Sequence, residues 1–138
     1  QNNVGGQDYK TENTARWIYR EACLKHGGDG SVWLAWARLE EKENNIGECW
    51  KENTARWIFQ NGIERFPDVA VLYWPYAHLE LMARCPDRAR SILRQAAKYS
   101  DYSLGDLAIL EFYYNNIDTD SEYSMNQLMA RMENQKDF

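Results

Sequence analysis

The heptapeptide Glu-Asn-Thr-Ala-Arg-Trp-Ile occurs twice in this chain, from Glu12 to Ile18 and from Glu52 to Ile58, a spacing of 40 residues. At the same spacing Trp33, Trp36, Ala37, Leu39 and Glu40 reappear as Tyr73, Tyr76, Ala77, Leu79 and Glu80. A whole module is therefore duplicated. Periods of roughly 20 to 50 residues mark arrays in which each unit buries its apolar face against its neighbours. This chain is therefore read as part of an array.

Asn2-Asn3-Val4-Gly5 resembles Asn44-Asn45-Ile46-Gly47, the linker ahead of the second heptapeptide, and the chain starts with Gln rather than Met. Both features predict a segment of a longer array. With 138 residues it can bury one core, and nothing divides it into independent domains. A net charge of −5 argues against broad contact with a phosphate backbone, so any RNA role is expected to be indirect. No apolar run approaches the roughly 20 residues that cross a bilayer, and no membrane partner is expected. Three cysteines, Cys23, Cys49 and Cys85, with no close pair suit a reducing, intracellular setting, whether nucleus or cytoplasm. Cys23 and His26 have the spacing of half a metal site, but no second pair completes four ligands, so neither metal nor cofactor is expected.

From Thr14, the residues Ala15, Ile18, Tyr19 and Ala22 form the i, i+3, i+4, i+7 stripe of a helix buried on one side. Gly27-Gly28-Asp29-Gly30 breaks it, and Ser31 can cap a second helix with the stripe Val32, Trp33, Trp36, Leu39 and Glu40. The second repeat follows the same plan. Ala55, Ile58, Phe59 and Gly62 lead to a Phe66-Pro67-Asp68 turn, then to Leu72, Tyr73, Tyr76, Leu79 and Glu80. Pro75 costs little if that helix begins near Val71, and kinks it if it begins at Asp68. Ala89, Ile92, Leu93 and Ala96 predict a third first-type helix, at a spacing of 34 from the second, and Leu107, Leu110, Glu111 and Tyr114 its partner. Met125, Leu128, Met129 and Met132 suggest a last helix, a degenerate fourth unit or a cap. The linker Glu41 to Glu52 is longer than a compact helix-to-helix turn.

Ala-Arg-x-Ile-Tyr/Phe on one helix (Ala15, Arg16, Ile18, Tyr19; Ala55, Arg56, Ile58, Phe59) precedes Trp/Tyr-x-x-Trp/Tyr-Ala-x-x-Glu on the next (Trp33, Trp36, Ala37, Glu40; Tyr73, Tyr76, Ala77, Glu80). This pairing resembles the half-a-tetratricopeptide, or HAT, repeat over Thr11 to about Tyr114. The resemblance implies an all-α fold, a right-handed superhelical solenoid of antiparallel helix pairs with about three repeats and a partial fourth. Repeat 1 would cover about 8–44, repeat 2 about 48–84, repeat 3 about 87–116 and the C-terminal helix about 121–135. It also implies a non-catalytic scaffold that binds a protein or peptide segment in an RNA-processing complex. Tetratricopeptide-like arrays serve as well as peptide- or ligand-sensing segments of multidomain regulatory proteins, including bacterial ones, and that reading stands beside the first. A homodimer is a further possibility.

Glu40 and Glu80 invite a catalytic reading, because carboxylates on an apolar face can titrate abnormally. The structural reading is stronger. Glu40 lies beside Trp36 on the buried stripe, and the resemblance pairs it with the arginine of a first-type helix, Arg56 of the following repeat, with Glu80 meeting Arg90 likewise. Trp33 and Trp36 belong to the core, whereas Trp17 lies about 200° around its helix from the stripe. By the resemblance that second face lines the concave groove. Its members are Asn13, Trp17, Arg20, Glu21 and Leu24; then Asn53, Trp57, Gln60, Asn61 and Glu64; then Asp87, Ser91, Arg94, Gln95 and Lys98. Two readings of it remain open: a recognition surface with aromatic anchors, or tryptophans that pack on neighbouring helices. Arg90, Arg94 and Lys98, with Arg84 and Arg88 before them, form a basic stripe suited to an acidic partner, to a short phosphate segment or to solvent. No phosphate-cradling loop or nucleophile set is present, and no enzymatic activity is expected.

Overall fold

Both copies of the heptapeptide open an α-helix at their alanine: α1 is Ala15–Leu24 and α3 is Ala55–Arg65. The computed structural model describes residues 9–12 and 14–99, together with 105, 108, 109, 130 and 131. The expected helices around Leu107 to Tyr114 and Met125 to Met132, and Asn13 of the expected groove face, lie outside the described residues. Among the described residues the structure is helical, with no strand. The chain divides into two compact units, Gln1–Leu72 and Tyr73–Phe138.

In the first unit α1 is followed by α2, Gly30–Lys42. Its N-cap is Asp29, whose carboxylate accepts from the Val32 amide at 3.1 Å; the expected cap, Ser31, instead donates its hydroxyl to the same oxygen at 2.7 Å. An ionised oxygen outcompetes a hydroxyl for an orphan helix amide. Those two hydrogen bonds also hold the Asp29 carboxyl below its ordinary titration range, Ser31 first and Val32 second. Along α2, Trp33, Trp36, Ala37 and Glu40 are buried, and the tryptophan rings meet at 5.8 Å. This helix packs against both α1 and α3. Gly62 of α3 lies against Trp33, where an added Cβ would sit 3.4 Å from the Trp33 Cβ and 3.6 Å from the Leu72 methyls. Arg65 covers the Trp33 ring at 4.9 Å. A short 3-10 turn, Ala70–Leu72, closes the unit and buries Leu72.

The two first-type helices differ in one respect. In α3 the stripe Ala55, Ile58, Phe59 and Gly62 is buried, whereas in α1 only Cys23 is, and Ile18 is 48% exposed. The α1 stripe, expected on the buried side of its helix, is thus half-buried at Ala15, Tyr19 and Ala22 and exposed at Ile18.

In the second unit, α4 (Tyr73–Met82) packs against α5 (Pro86–Ala96). Because the 3-10 turn precedes it, α4 starts late, and Pro75 falls in its first turn where no intrahelical N–H partner is lost. Pro86 opens α5, and Ala89, Ile92, Leu93 and Ala96 are its buried stripe.

Both second-type helices end alike. After α2, the Asn45 amide reaches back to the Glu40 carbonyl at 2.8 Å and Asn44 to Glu41 at 3.0 Å, with Asn44 left-handed at φ 62°. After α4, Cys85 reaches Glu80 at 2.8 Å and Arg84 reaches Leu81 at 3.0 Å, with Arg84 at φ 63°. These are Schellman closures, which favour glycine or asparagine at the left-handed position. Arginine there carries a steric penalty of about 1–2 kcal/mol. Arg84→Gly is expected to raise folding stability by about 0.5–1 kcal/mol, read by urea denaturation, because relief of the Cβ clash outweighs the added freedom of the unfolded chain.

Burial pushes the Cys23 thiol up to about 12, with Asp29 adding to the effect and Arg65 opposing it. The unfolded chain ionises this thiol near 9, so the folded state binds the proton more tightly, and stability falls as pH climbs from about 9 to about 12. Below pH 9, Cys23→Ala is expected to be less stable than the parent by a constant margin. That margin should narrow above pH 9, as measured by denaturation at stepped pH.

Candidate interaction surface

A carboxylate with no exposure sits where α1, α2 and the linker meet. Glu40 is fully buried, and four donors occupy its two oxygens. Arg16 of α1 takes it in bidentate fashion, Nη2 to Oε1 at 2.6 Å and Nε to Oε2 at 2.8 Å. Asn45 Nδ2 donates to Oε1 at 2.8 Å, and the Tyr9 hydroxyl donates to Oε2. Tyr9 in turn accepts from Trp36 Nε1 at 2.7 Å, and its ring lies beneath the Arg16 guanidinium at 4.6 Å. Burial alone would lower the Arg16 pKa, but the hydrogen bonds and charge of Glu40 outweigh it and raise it. Burial, then the Glu40 carboxylate, raises the Tyr9 phenol above its ordinary range. With both oxygens saturated by donors, the group suits a structural lock better than proton transfer.

The resemblance had pointed to Arg56 as the partner of Glu40. The structure assigns that role to Arg16 of the same repeat, whose guanidinium lies across the α1–α2 contact. Arg56 Nη1 instead donates to the Gly47 carbonyl at 2.9 Å and lies 3.7 Å from Glu48. In the second unit Arg88 stands 3.8 Å from the buried Glu80, a partner that the resemblance, which named Arg90, did not anticipate. Tyr9 was also missed: at the 40-residue spacing its counterpart is Cys49, so the repeat carries no signal for it.

The expected groove residues differ in burial and in partners. On α1, Arg20 stacks over the Tyr9 ring at 5.6 Å and Glu21 pairs with Lys25 at 3.1 Å, while Trp17 is half-buried and Leu24 exposed. Asn53 is left-handed at φ 69°, and its carbonyl accepts from Asn45 at 2.8 Å. Trp57 meets Trp36 edge-on at 6.1 Å, so this ring packs on α2. Asn61 donates to the Trp57 carbonyl at 2.9 Å, and Gln60 to Glu64 at 3.0 Å. In the second unit Arg94 and Lys98 are exposed.

The residue that stands out was not singled out by the sequence. Trp50 is 79% exposed in the linker between α2 and α3. That linker is pinned at both ends. The Asn45 and Ile46 carbonyls accept from the Ala55 and Arg56 amides at 2.9 and 3.0 Å, which satisfies the first turn of α3. The Thr54 hydroxyl lies 2.8 Å from the Lys51 carbonyl and 3.1 Å from that of Glu48, with Trp50 between those two residues. Gly47, at φ 65°, leaves room that a Cβ would take from the Thr54 side chain. A large ring held on a bonded loop loses little conformational freedom on binding, which is the property of an interface anchor.

Arg16→Ala is expected to cost about 3–5 kcal/mol in chemical denaturation, since it leaves a buried carboxylate without its counter-charge. Tyr9→Phe should cost less, about 1.5–3 kcal/mol, for one charge-assisted bond and a stranded Trp36 donor. Comparison of the chain with protein-family models, curated proteins and solved structures finds no match.

Proposed function

We propose that this chain is a non-catalytic protein–protein interaction scaffold built of HAT-like helix pairs and working within an RNA-processing assembly. The pairs are antiparallel and stack into a right-handed superhelix of about three repeats and a partial fourth. Three features support that reading: the duplicated heptapeptide, the start of α1 and α3 at the same motif position, and the packing of α2 against both. The RNA-processing setting rests on the HAT resemblance of the residues around Arg16, Trp36 and Glu40 and their second copies. With a net charge of −5, contact with RNA runs through the protein partner. No helix among the described residues is long and apolar enough to cross a membrane.

The observation that carries the interaction role is Trp50, a large apolar ring at 79% exposure on a hydrogen-bonded loop. The partner is a protein or peptide segment with an apolar pocket for that ring. Leu24 and the open part of Trp17 offer a second contact region on α1.

The test is affinity capture from cells of the source organism, with partners identified by mass spectrometry, on the parent chain and on Trp50→Ala and Trp17→Ala. Trp50→Ala is expected to keep the parental circular dichroism and thermal midpoint within about 2 °C, as surface substitutions do. It should lose most of the captured protein, and ribonuclease treatment should leave the parental capture unchanged. A capture that survives Trp50→Ala but not Trp17→Ala moves the site to the groove face and favours a peptide-sensing array. A capture lost to ribonuclease contradicts the indirect RNA role.

A further inference from the structure

The same heptapeptide has two environments in this molecule. In α3, Ala55, Ile58 and Phe59 show no exposure, because α2 lies against that helix. In α1 the equivalent Ile18 is 48% exposed, and Ala15, Tyr19 and Ala22 are only half-buried. The stripes share alanine and isoleucine and differ at Tyr19 for Phe59 and Ala22 for Gly62; the larger difference is that α3 has a second-type helix ahead of it and α1 has none among the described residues. The molecule therefore contains the template for what covers such a stripe: a helix with the Trp33, Trp36 and Ala37 pattern, followed by a linker that folds back on the next helix.

We infer that the stripe Ala15, Ile18, Tyr19 and Ala22 of α1 is a docking face for a further, preceding copy of the 40-residue repeat, delivered through that copy's second-type helix. The inference rests on the repeat-array reading above. A second observation points the same way. Asn44-Asn45-Ile46-Gly47 supplies the carbonyls that meet α3, at Asn45 and Ile46, and the Arg56 side chain, at Gly47. A near-copy of that tetrapeptide, Asn2-Asn3-Val4-Gly5, precedes α1. The sequence ahead of α1 thus has the character of the connection that leads out of a second-type helix. The occupant's chemistry follows from the α2–α3 contact, where Trp33 lies against Gly62 and Trp36 meets Trp57: two large aromatic rings set against a first-type helix.

The experiment inserts a second copy of residues 9–48 between Asp8 and Tyr9, which keeps the full chain and the 40-residue register. Ile18→Cys is then introduced into the original α1 of both the parent and the duplicated chain. The rate of alkylation of that thiol is followed by peptide mapping, and stability by urea denaturation. The duplicated chain is expected to unfold at a higher urea concentration than the parent. The introduced thiol should react at least about tenfold more slowly in it, since reaction then requires opening of the contact. Trp36→Asp in the added copy should return the rate to the parental value. Equal reactivity in the two chains, or a duplicated chain that is less stable than the parent or does not fold, overturns the inference. So does a concentration-dependent dimer of the parent chain, seen by sedimentation and abolished by Ile18→Asp, because a second copy of the chain would then own the face. The readout is packing rather than capture, so its failure leaves the Trp50 role standing, and loss of the Trp50 role leaves this docking face standing.

Discussion

The Glu40 carboxylate has no exposure, and an ionised group in that position persists only where donors surround it. Four donors do so, and they come from three different stretches of chain: Tyr9 ahead of α1, Arg16 within α1, and Asn45 in the linker after α2. Replacing any one with an apolar group of similar size would leave a polar atom stranded. The cluster therefore fixes how α1 is rotated about its own axis relative to α2, which generic apolar packing leaves loosely determined. It also fixes the path of the linker. Asn45 bonds the carboxylate with its side chain and ties α3 with its carbonyl, so the lock within one repeat also sets the entry of the next.

Much of this was legible in the sequence. The i, i+3, i+4, i+7 stripes placed α1 to α5, because helical periodicity is imposed locally, and the period of 40 residues gave the first four assignments a check. Trp33, Trp36 and Glu40 were identifiable as buried from their shared face. Other features were not readable, for physical reasons. Which arginine meets Glu40 depends on the rotation of α1 on α2, and register on a single helix cannot supply it. Tyr9 sits outside the repeated pattern. Asp29 took the cap from Ser31 through a difference in acceptor strength between residues two positions apart. Trp50 was hidden for the opposite reason: it lies on no stripe, and the exposure of a loop residue follows from how the loop is tied down.

The candidate surface shows the same division. Register placed Trp17 and Trp57 on equivalent sides of their helices, and the structure gives them unequal surroundings, because α2 meets Trp57 through Trp36. Sequence identity between repeats therefore transfers helix position reliably and contact poorly. A residue in an array is defined by its neighbour as much as by its own helix.

Thr14 and Thr54 carry this furthest. They occupy the same letter of the heptapeptide, and each hydroxyl donates to the carbonyl three residues back, Thr11 at 3.0 Å and Lys51 at 2.8 Å; yet Thr14 Oγ1 also accepts the Trp17 amide at 3.2 Å, whereas the Thr54 hydroxyl lies 3.1 Å from a second linker carbonyl, that of Glu48, while backbone carbonyls serve its helix. An aspartate at position 14 would lose the bond to Thr11 but keep the amide. At position 54 it would set an anion against two oxygens and have no proton to offer them. The duplicated word is thus spelled alike under two different grammars, and each copy tolerates its own set of misspellings.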